Sequence, residues 1–451
     1  MGYESKNYVI TTAQRGALPN WEFLESLNTY CKQNNAELLI LPTNGKFPSS
    51  TKEDQEEIIH QHLQEKYKVI DHDLKLNDKL YIKNFPTKAQ QMIPLTSWGR
   101  FVQYDDSAIM ASPKLMQKCY ANSNQDLPKI LMSTGAVTRP NYKDNAWGAK
   151  ARLDHRYAAI VVQIKSKDTF HYRQLVSGDN GVFYDLGTKY DGKNKPVKSS
   201  IEALVLGDVH VGWTDPAVVS ATQRLIKETN PKAIMYHDLC DTYSVNHHHE
   251  NDIVLKAQKA LNNQDSLEDE AKKVGEFLAL MNKTATPYTK HLIVKSNHDE
   301  AIDRYLQEGR FIKDPKNIKF ASKLLVNSID ETRDTLQYAI ELAYGKLPIN
   351  IKFLSVDQDY KIGGWQLANH GHNGPCGTQG TTRSLEGTMG RGMVGHLHSP
   401  EIFRDIWRVG TSTYLHLPYT KGHASNWVQG HGIINPNGKP QLINIINGEY
   451  K

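Results

Sequence analysis

The stretch IEALVLGDVH, residues 201–210, decides how the second half of the chain is read. A short apolar run enters a glycine and then delivers Asp208 and His210, which is the pattern of a buried strand with polar residues at its C-terminal end. Asp215-Pro216 follows as an N-cap and first-turn proline for a helix, PAVVSATQRLIKE. The same texture recurs downstream. KAIMYHD and KHLIVKSNHDE read as further strands, with helical periodicity in NDIVLKAQKALNN and SLEDEAKKVGEFLALMNK between them. From residue 349 the pattern becomes β-rich, with a turn at Gly363-Gly364 and a final hairpin around Asn437-Gly438. Strands with intervening helices, followed by a run of strands, predict an α/β fold whose two-sheet β-sandwich core is flanked by helices.

The residues at the strand ends are of the types that suit a metal site. They are Asp208 and His210 in GDVHVG, Asp238 and Asp241 in HDLCD, Asn297, His298 and Asp299 in SNHDE, His370 in ANHGH, and His396 and His398 in GHLH. Side chains delivered from several strand ends converge on one point. Consecutive residues diverge, by about 100° each on a helix and to opposite faces on a strand. The conspicuous run His247, His248, His249 is therefore a poor ligand set, and its expected place is the rim, touching substrate or only solvent. Carboxylate, imidazole and amide oxygen together suit a hard or borderline divalent ion. Against this stands the plain reading of capping aspartates and satisfied core histidines.

In order and spacing these blocks resemble the calcineurin-like metallophosphoesterase superfamily, whose pattern is DxH, GDxxD, GNH[DE], HG and GHxH; the resemblance covers residues 204 to about 415. It implies two divalent metal ions, manganese first, with magnesium, iron or zinc as alternatives. Asp208, His210 and His398 would bind one and Asn297, His370 and His396 the other, with Asp238 bridging. It implies a metal-bridging hydroxide as nucleophile, His298 as the group that protonates or stabilises the leaving oxygen, and Asp299 or Asp241 orienting that imidazole. The sequence departs from the pattern at His237 and Ser296, where glycines are usual, which puts loop shape in doubt but leaves the ligands intact.

Phosphatases of the superfamily place arginines where this chain has Thr242 and Lys295, so the blocks are more similar to the nuclease branch. As a whole the chain is similar to the metallophosphoesterase-type DNases that T5-like bacteriophages use early in infection: the points of similarity are the histidine cluster after HDLCD, the long glycine loop before GHLH and a substantial N-terminal extension. That resemblance implies a manganese-dependent DNase acting on host DNA in a bacterial cytoplasm, with homo-oligomerisation as a further expectation. Arg383 and Arg391, in the loop from Gly371 to Gly392, and Lys295, Arg304 and Arg310 near SNHDE are candidate phosphate contacts; a solvated loop or helix face explains them as well. Trp365 and Trp407 read as core. Two alternatives use the same site: a phosphomonoesterase or cyclic-nucleotide phosphodiesterase, and a catalytically silent metal-bound binding module.

Residues 1–198 read as an N-terminal α/β domain, with strands in KNYVITT and AELLILPT around an amphipathic helix, and carry no motif. A polar stretch, GTKYDGKNKPVKSS (187–200), reads as a linker to a catalytic domain over 199–451. Of the net charge of +5, the first 200 residues carry +6 (27 Lys/Arg against 21 Asp/Glu), a slight excess in favour of a polyanionic partner, and as easily a solvated surface. Four scattered cysteines, Cys31, Cys119, Cys240 and Cys376, suggest neither disulfides nor a thiolate zinc site, and no apolar run is long enough to span a membrane.

Overall fold

A computed structural model describes residues 5–45, 58–104, 106–122, 127–330, 333–356, 358–417 and 422–451. At its centre is a six-stranded sheet in the order Ile351–Leu354, Lys290–Val294, Ala233–Tyr236, Ala203–Val205, Gly430–Ile434, Pro440–Asn444. The first four strands are parallel and the last two antiparallel. Alternate side chains of each strand point to opposite faces, and both faces are apolar. Ala203, Val205, Met235 and Leu292 face one core, while Leu204, Leu206, Ile234 and Ile293 face another. That two-sided burial is why IEALVL is an unbroken apolar run.

Helices cover one face, among them Pro216–Thr229 and Leu267–Thr284. The Asp215 side chain accepts from the Ala217 amide at 2.8 Å with Pro216 in the first turn, and Ser266 caps the second helix. A ten-stranded sheet covers the other face and completes the two-sheet α/β sandwich that the sequence predicts. Trp365 and Trp407 are buried in this core, with ring centroids 6.1 Å apart.

Five strands of the large sheet come from residues 361–408, and five from residues 74–133. They join where Glu401–Phe403 pairs with Gln117–Tyr120 through Ile402 and Gln117. The first half of the chain thus helps to build the sandwich. It also carries its own five-stranded sheet, centred on Lys6–Gln14 and packed on helix Trp21–Asn34. Residues 183–198 form a small three-stranded sheet. Its Asp185 is buried, gripped by Arg173 at 2.8 and 2.9 Å, and bonded by Tyr30 (2.8 Å) and by Gln441 of the last sheet strand (2.9 Å). No helix among the described residues is long and apolar enough to cross a membrane.

Candidate metal centre

Parallel strands present their C-terminal ends along one edge, and the loops leaving that edge carry the expected ligands. The strands ending at Val205, Tyr236 and Val294 lead to Asp208/His210, Asp238/Asp241 and Asn297–Asp299; from the other sheet, those ending at Gln366 and Val394 lead to His370 and His396/His398. The loops are stitched together by backbone bonds, Asp208 to Gly410 (3.1 Å), Val209 to His237 (3.0 Å) and His210 to Asp238 (2.7 Å). His210, Asp238, His396 and His398 all have left-handed backbones, with φ of 45, 43, 80 and 55°. Such geometry costs a non-glycine residue roughly 1–3 kcal/mol, and it clusters where surrounding structure fixes side chains for function. Gly395 is held for a different reason. A Cβ there would stand 2.1 Å from Asp208 Oδ1.

Asp208, His210, Asp238 and His398 each bring a ligand atom within 4.8 Å of the others, and all four are buried. His398 Nε2 lies 3.1 Å from Asp208 Oδ2 and 3.1 Å from His210 Nε2. Asp238 Oδ2 stands between His210 Nε2 at 3.4 Å and His370 Nε2 at 3.1 Å. The His396 amide donates to Asp208 Oδ2 at 2.7 Å, and its ring centroid is 5.3 Å from that of His370.

Five of the seven expected ligands keep a buried atom with no hydrogen-bond partner: Asp208 Oδ1, Asp238 Oδ1, Asn297 Oδ1, His370 Nε2 and His398 Nδ1. His370 Nε2 is close to Asp238 but makes no hydrogen bond with it. Buried oxygens of this kind are costly unless paired, and a divalent cation satisfies several at once. The donor set fits the ions that the resemblance implies. Burial opposes the charge on Asp208 and Asp238, yet the surrounding histidines hold both carboxyls below the ordinary range.

Asp241 supports the cluster from outside. Its Oδ1 is 2.7 Å from His210 Nδ1 and its Oδ2 accepts from Trp213 Nε1 at 3.0 Å, an arrangement that leaves His210 Nε2 to face the centre. The Asp241 carbonyl is 3.0 Å from His298 Nδ1, and Asp241 Oδ1 is 3.3 Å from the same nitrogen. Burial works against a charged His298, but Asp238 and Asp241 more than offset it and lift its pKa to about 9. Of the two carboxylates expected to orient His298, Asp241 touches it. Asp299 turns away: its oxygens accept from the Cys240 amide (3.0 Å) and Ser296 Oγ (2.8 Å), so it ties two loops together. Burial and the Asp238 charge push its pKa up to about 7.

The departures from the family pattern now have physical content. Ser296 supplies the hydroxyl that holds Asp299. His237 is fully buried with Nδ1 3.4 Å from His370 Nδ1, its Nε2 has no partner, and burial lowers its pKa to about 4. His372 is a further imidazole that motif reading passes over, with ring centroids 5.5 Å from His370 and 6.0 Å from His396. Its only signal was a second histidine in NHGH.

Several expected substrate contacts lie elsewhere or are already engaged. His247–His249 form one 3-10 turn outside the ligand cluster; His247 is 3.0 Å from Arg304 Nη1, and the His249 ring packs on Tyr243. Lys295 is half-enclosed between Asp303 and Asp334, 2.8 Å from each. Arg304 and Arg310 both pair with Glu308. Arg391 sits at the opposite end of strand Gly392–Val394 from the metal ligands, over Trp365 and 3.6 Å from Asp405. Arg383 is exposed over Phe403, in a cleft that reaches Leu397 and Ser399.

With this geometry established, comparison with known proteins gives one whole-chain match. The chain is similar to Protein A1 of Escherichia phage T5. The two are 28% identical over 469 aligned positions, which span 99% of this chain and 83% of that protein. A crystal structure of Chaetomium thermophilum Vps29 aligns with 40% of this chain and 92% of its own at 9% identity, with a TM-score of 0.23, too low to carry an argument. No protein-family model matches the chain.

Proposed function

We propose that the chain is a metal-dependent phosphodiester hydrolase that cleaves DNA, with two divalent cations, manganese foremost, in the Asp/His/Asn centre. The observation that carries this reading is the position of Asp238. It is a buried carboxylate with one oxygen 3.4 Å from His210 Nε2 and 3.1 Å from His370 Nε2, while its other oxygen, like Asp208 Oδ1 and Asn297 Oδ1, has no hydrogen-bond partner. Cations bound there would neutralise phosphate oxygens and make a water acidic enough to attack at neutral pH.

The chain's own groups supply the rest. Asp208, His210, Asp238 and His398 converge and would hold a cation between them. Asp241 sets the tautomer of His210 and anchors the Nδ1 side of His298. Held at Nδ1 by Asp241 and with about a quarter of its side chain exposed, His298 is the group placed to donate to a leaving oxygen. Support for a diester over a monoester comes from the absence of free cations where phosphatases place theirs. Thr242 is buried and neutral, and Lys295 is held by two aspartates. Similarity to a phage protein agrees with action inside a bacterial host.

The test is a substrate panel with purified protein and each of Mn²⁺, Mg²⁺, Zn²⁺ and Ca²⁺. Linear and supercoiled DNA should be cut fastest with Mn²⁺. Faster turnover of nitrophenyl phosphate or a cyclic nucleotide than of DNA would move the assignment to the alternative hydrolases. Tight metal binding with no hydrolysis of any ester would leave a silent binding module.

A further inference from the structure

A cleft of about 900 Å³ runs from the metal-bearing loop into the first half of the chain. Leu397 and Ser399, on either side of His398, form one end, and Arg100 and Lys118 line the part built by residues 93–120. Arg383 and Arg408 line it from the second half, and Glu401 is its one carboxylate. Glu401 Oε2 is already engaged, taking bonds from Arg408 Nη1 and the Thr382 hydroxyl. Arg408 is 4% exposed, its Nε has no partner, and it lies close enough to Asp208 to feel that charge. Arg100, Lys118 and Arg383 are exposed and have no carboxylate partner among the described residues.

A second cleft of similar size, about 840 Å³, carries six Lys/Arg against four carboxylates, Asp154, Asp179, Glu386 and Asp405, where the first carries four against one. Arg156 faces Asp405 at 3.0 Å, Arg404 faces Glu386 at 2.9 Å, and Arg391 faces Asp405 at 3.6 Å. Three exposed cations without a carboxylate partner, continuous with the metal loop, suit an acceptor-rich, polyanionic ligand. We infer that this cleft holds the nucleic-acid strand flanking the scissile phosphate, with Arg100 and Lys118 of the N-terminal half and Arg383 of the C-terminal half as its phosphate contacts. The inference rests on the proposed phosphodiesterase reading and extends it. The first half of the chain forms one wall of the substrate site, and it sets the preference for a polymer over a short ester.

The experiment compares the full-length wild type, the double variant Arg100→Ala/Lys118→Ala, and a control of equal charge change on a remote helix, Lys319→Ala/Lys323→Ala. Binding of a fluorescent single-stranded phosphorothioate oligonucleotide should weaken at least tenfold in the cleft variant relative to the control. The slope of log affinity against log salt should fall by about 1.4, from roughly 0.7 per lost phosphate contact. In turnover, the ratio of kcat/KM for an oligonucleotide to that for bis(4-nitrophenyl) phosphate should drop by a similar factor, through KM. Oligonucleotide binding by the cleft variant equal to that of the control overturns the inference. A wild type that hydrolyses neither ester counts against the proposed function instead, and the binding comparison still decides the cleft.

Discussion

Asp208 shows how a single residue is committed in this centre. One oxygen accepts the His396 amide, the other has no partner, and the glycine at 395 lets the backbone pass against it. A Gly395→Ala substitution places a methyl 2.1 Å from Oδ1 and must displace the carboxylate. Manganese affinity, read by isothermal titration, should fall at least tenfold while the circular dichroism spectrum stays that of the wild type; unchanged affinity would show that Asp208 Oδ1 is no ligand. His298 makes a different prediction. His298→Ala should lower kcat on DNA by about 10²- to 10⁴-fold, the usual worth of a general acid, with metal content intact. A variant with full kcat would remove His298 from the chemistry.

At the residue scale the motif blocks were legible because ligands follow directly on strand ends, where side-chain direction is set by the strand. What the blocks did not disclose were the contacts among them. Asp241 and Asp299 are equivalent by spacing; only the fold shows that one meets His298 while the other is spent on Cys240 and Ser296. The cations around SNHDE were equally unreadable, since their carboxylate partners lie anywhere from 2 to 60 residues away in the chain.

Among elements, the strands buried on both faces were the easiest to recognise, and the linker was the least well described by composition. Residues 187–200 are polar, yet they contribute two short strands and adjoin Asp185, whose partners come from three distant parts of the chain. Asp185→Asn leaves the buried Arg173 without its counter-charge and should cost about 3–5 kcal/mol of stability in urea denaturation. Burial disfavours the Asp185 charge, but Arg173 outweighs it and holds the carboxyl below its ordinary value. An acid depressed in the folded state stabilises the protein above its unfolded pKa, near 3.9, and that stability is lost as pH falls through this value toward the folded one. The wild type should therefore lose stability between about pH 5 and pH 2 with a slope that Asp185→Asn lacks; parallel acid limbs would contradict the assignment.

On the scale of the whole molecule, the sandwich core was predictable from one half of the chain and its completion by the other half was not. The strands that residues 74–133 contribute are only four or five residues long, too short for a period to register. They enter the large sheet through a single pairing of Ile402 with Gln117, 285 positions apart. A core shared in this way should melt as one unit. The edge that carries the candidate metal ligands belongs to that core, so cation binding should stabilise the whole chain, by about 2.7 kcal/mol at a hundredfold excess over Kd. A single calorimetric transition that moves up with added Mn²⁺ and down with chelator is expected; two independent transitions, one of them insensitive to metal, would contradict a shared core.

The role proposed for Asp238 is to join two cations into a centre that cuts phosphodiesters. Its most direct test measures manganese content and DNA cleavage on the same preparations of wild type and Asp238→Asn. Two manganese ions per chain and rapid cleavage in the wild type, with at least one ion and nearly all cleavage lost in the variant, are expected. Undiminished cleavage by Asp238→Asn, or a wild type that binds no manganese, would contradict it.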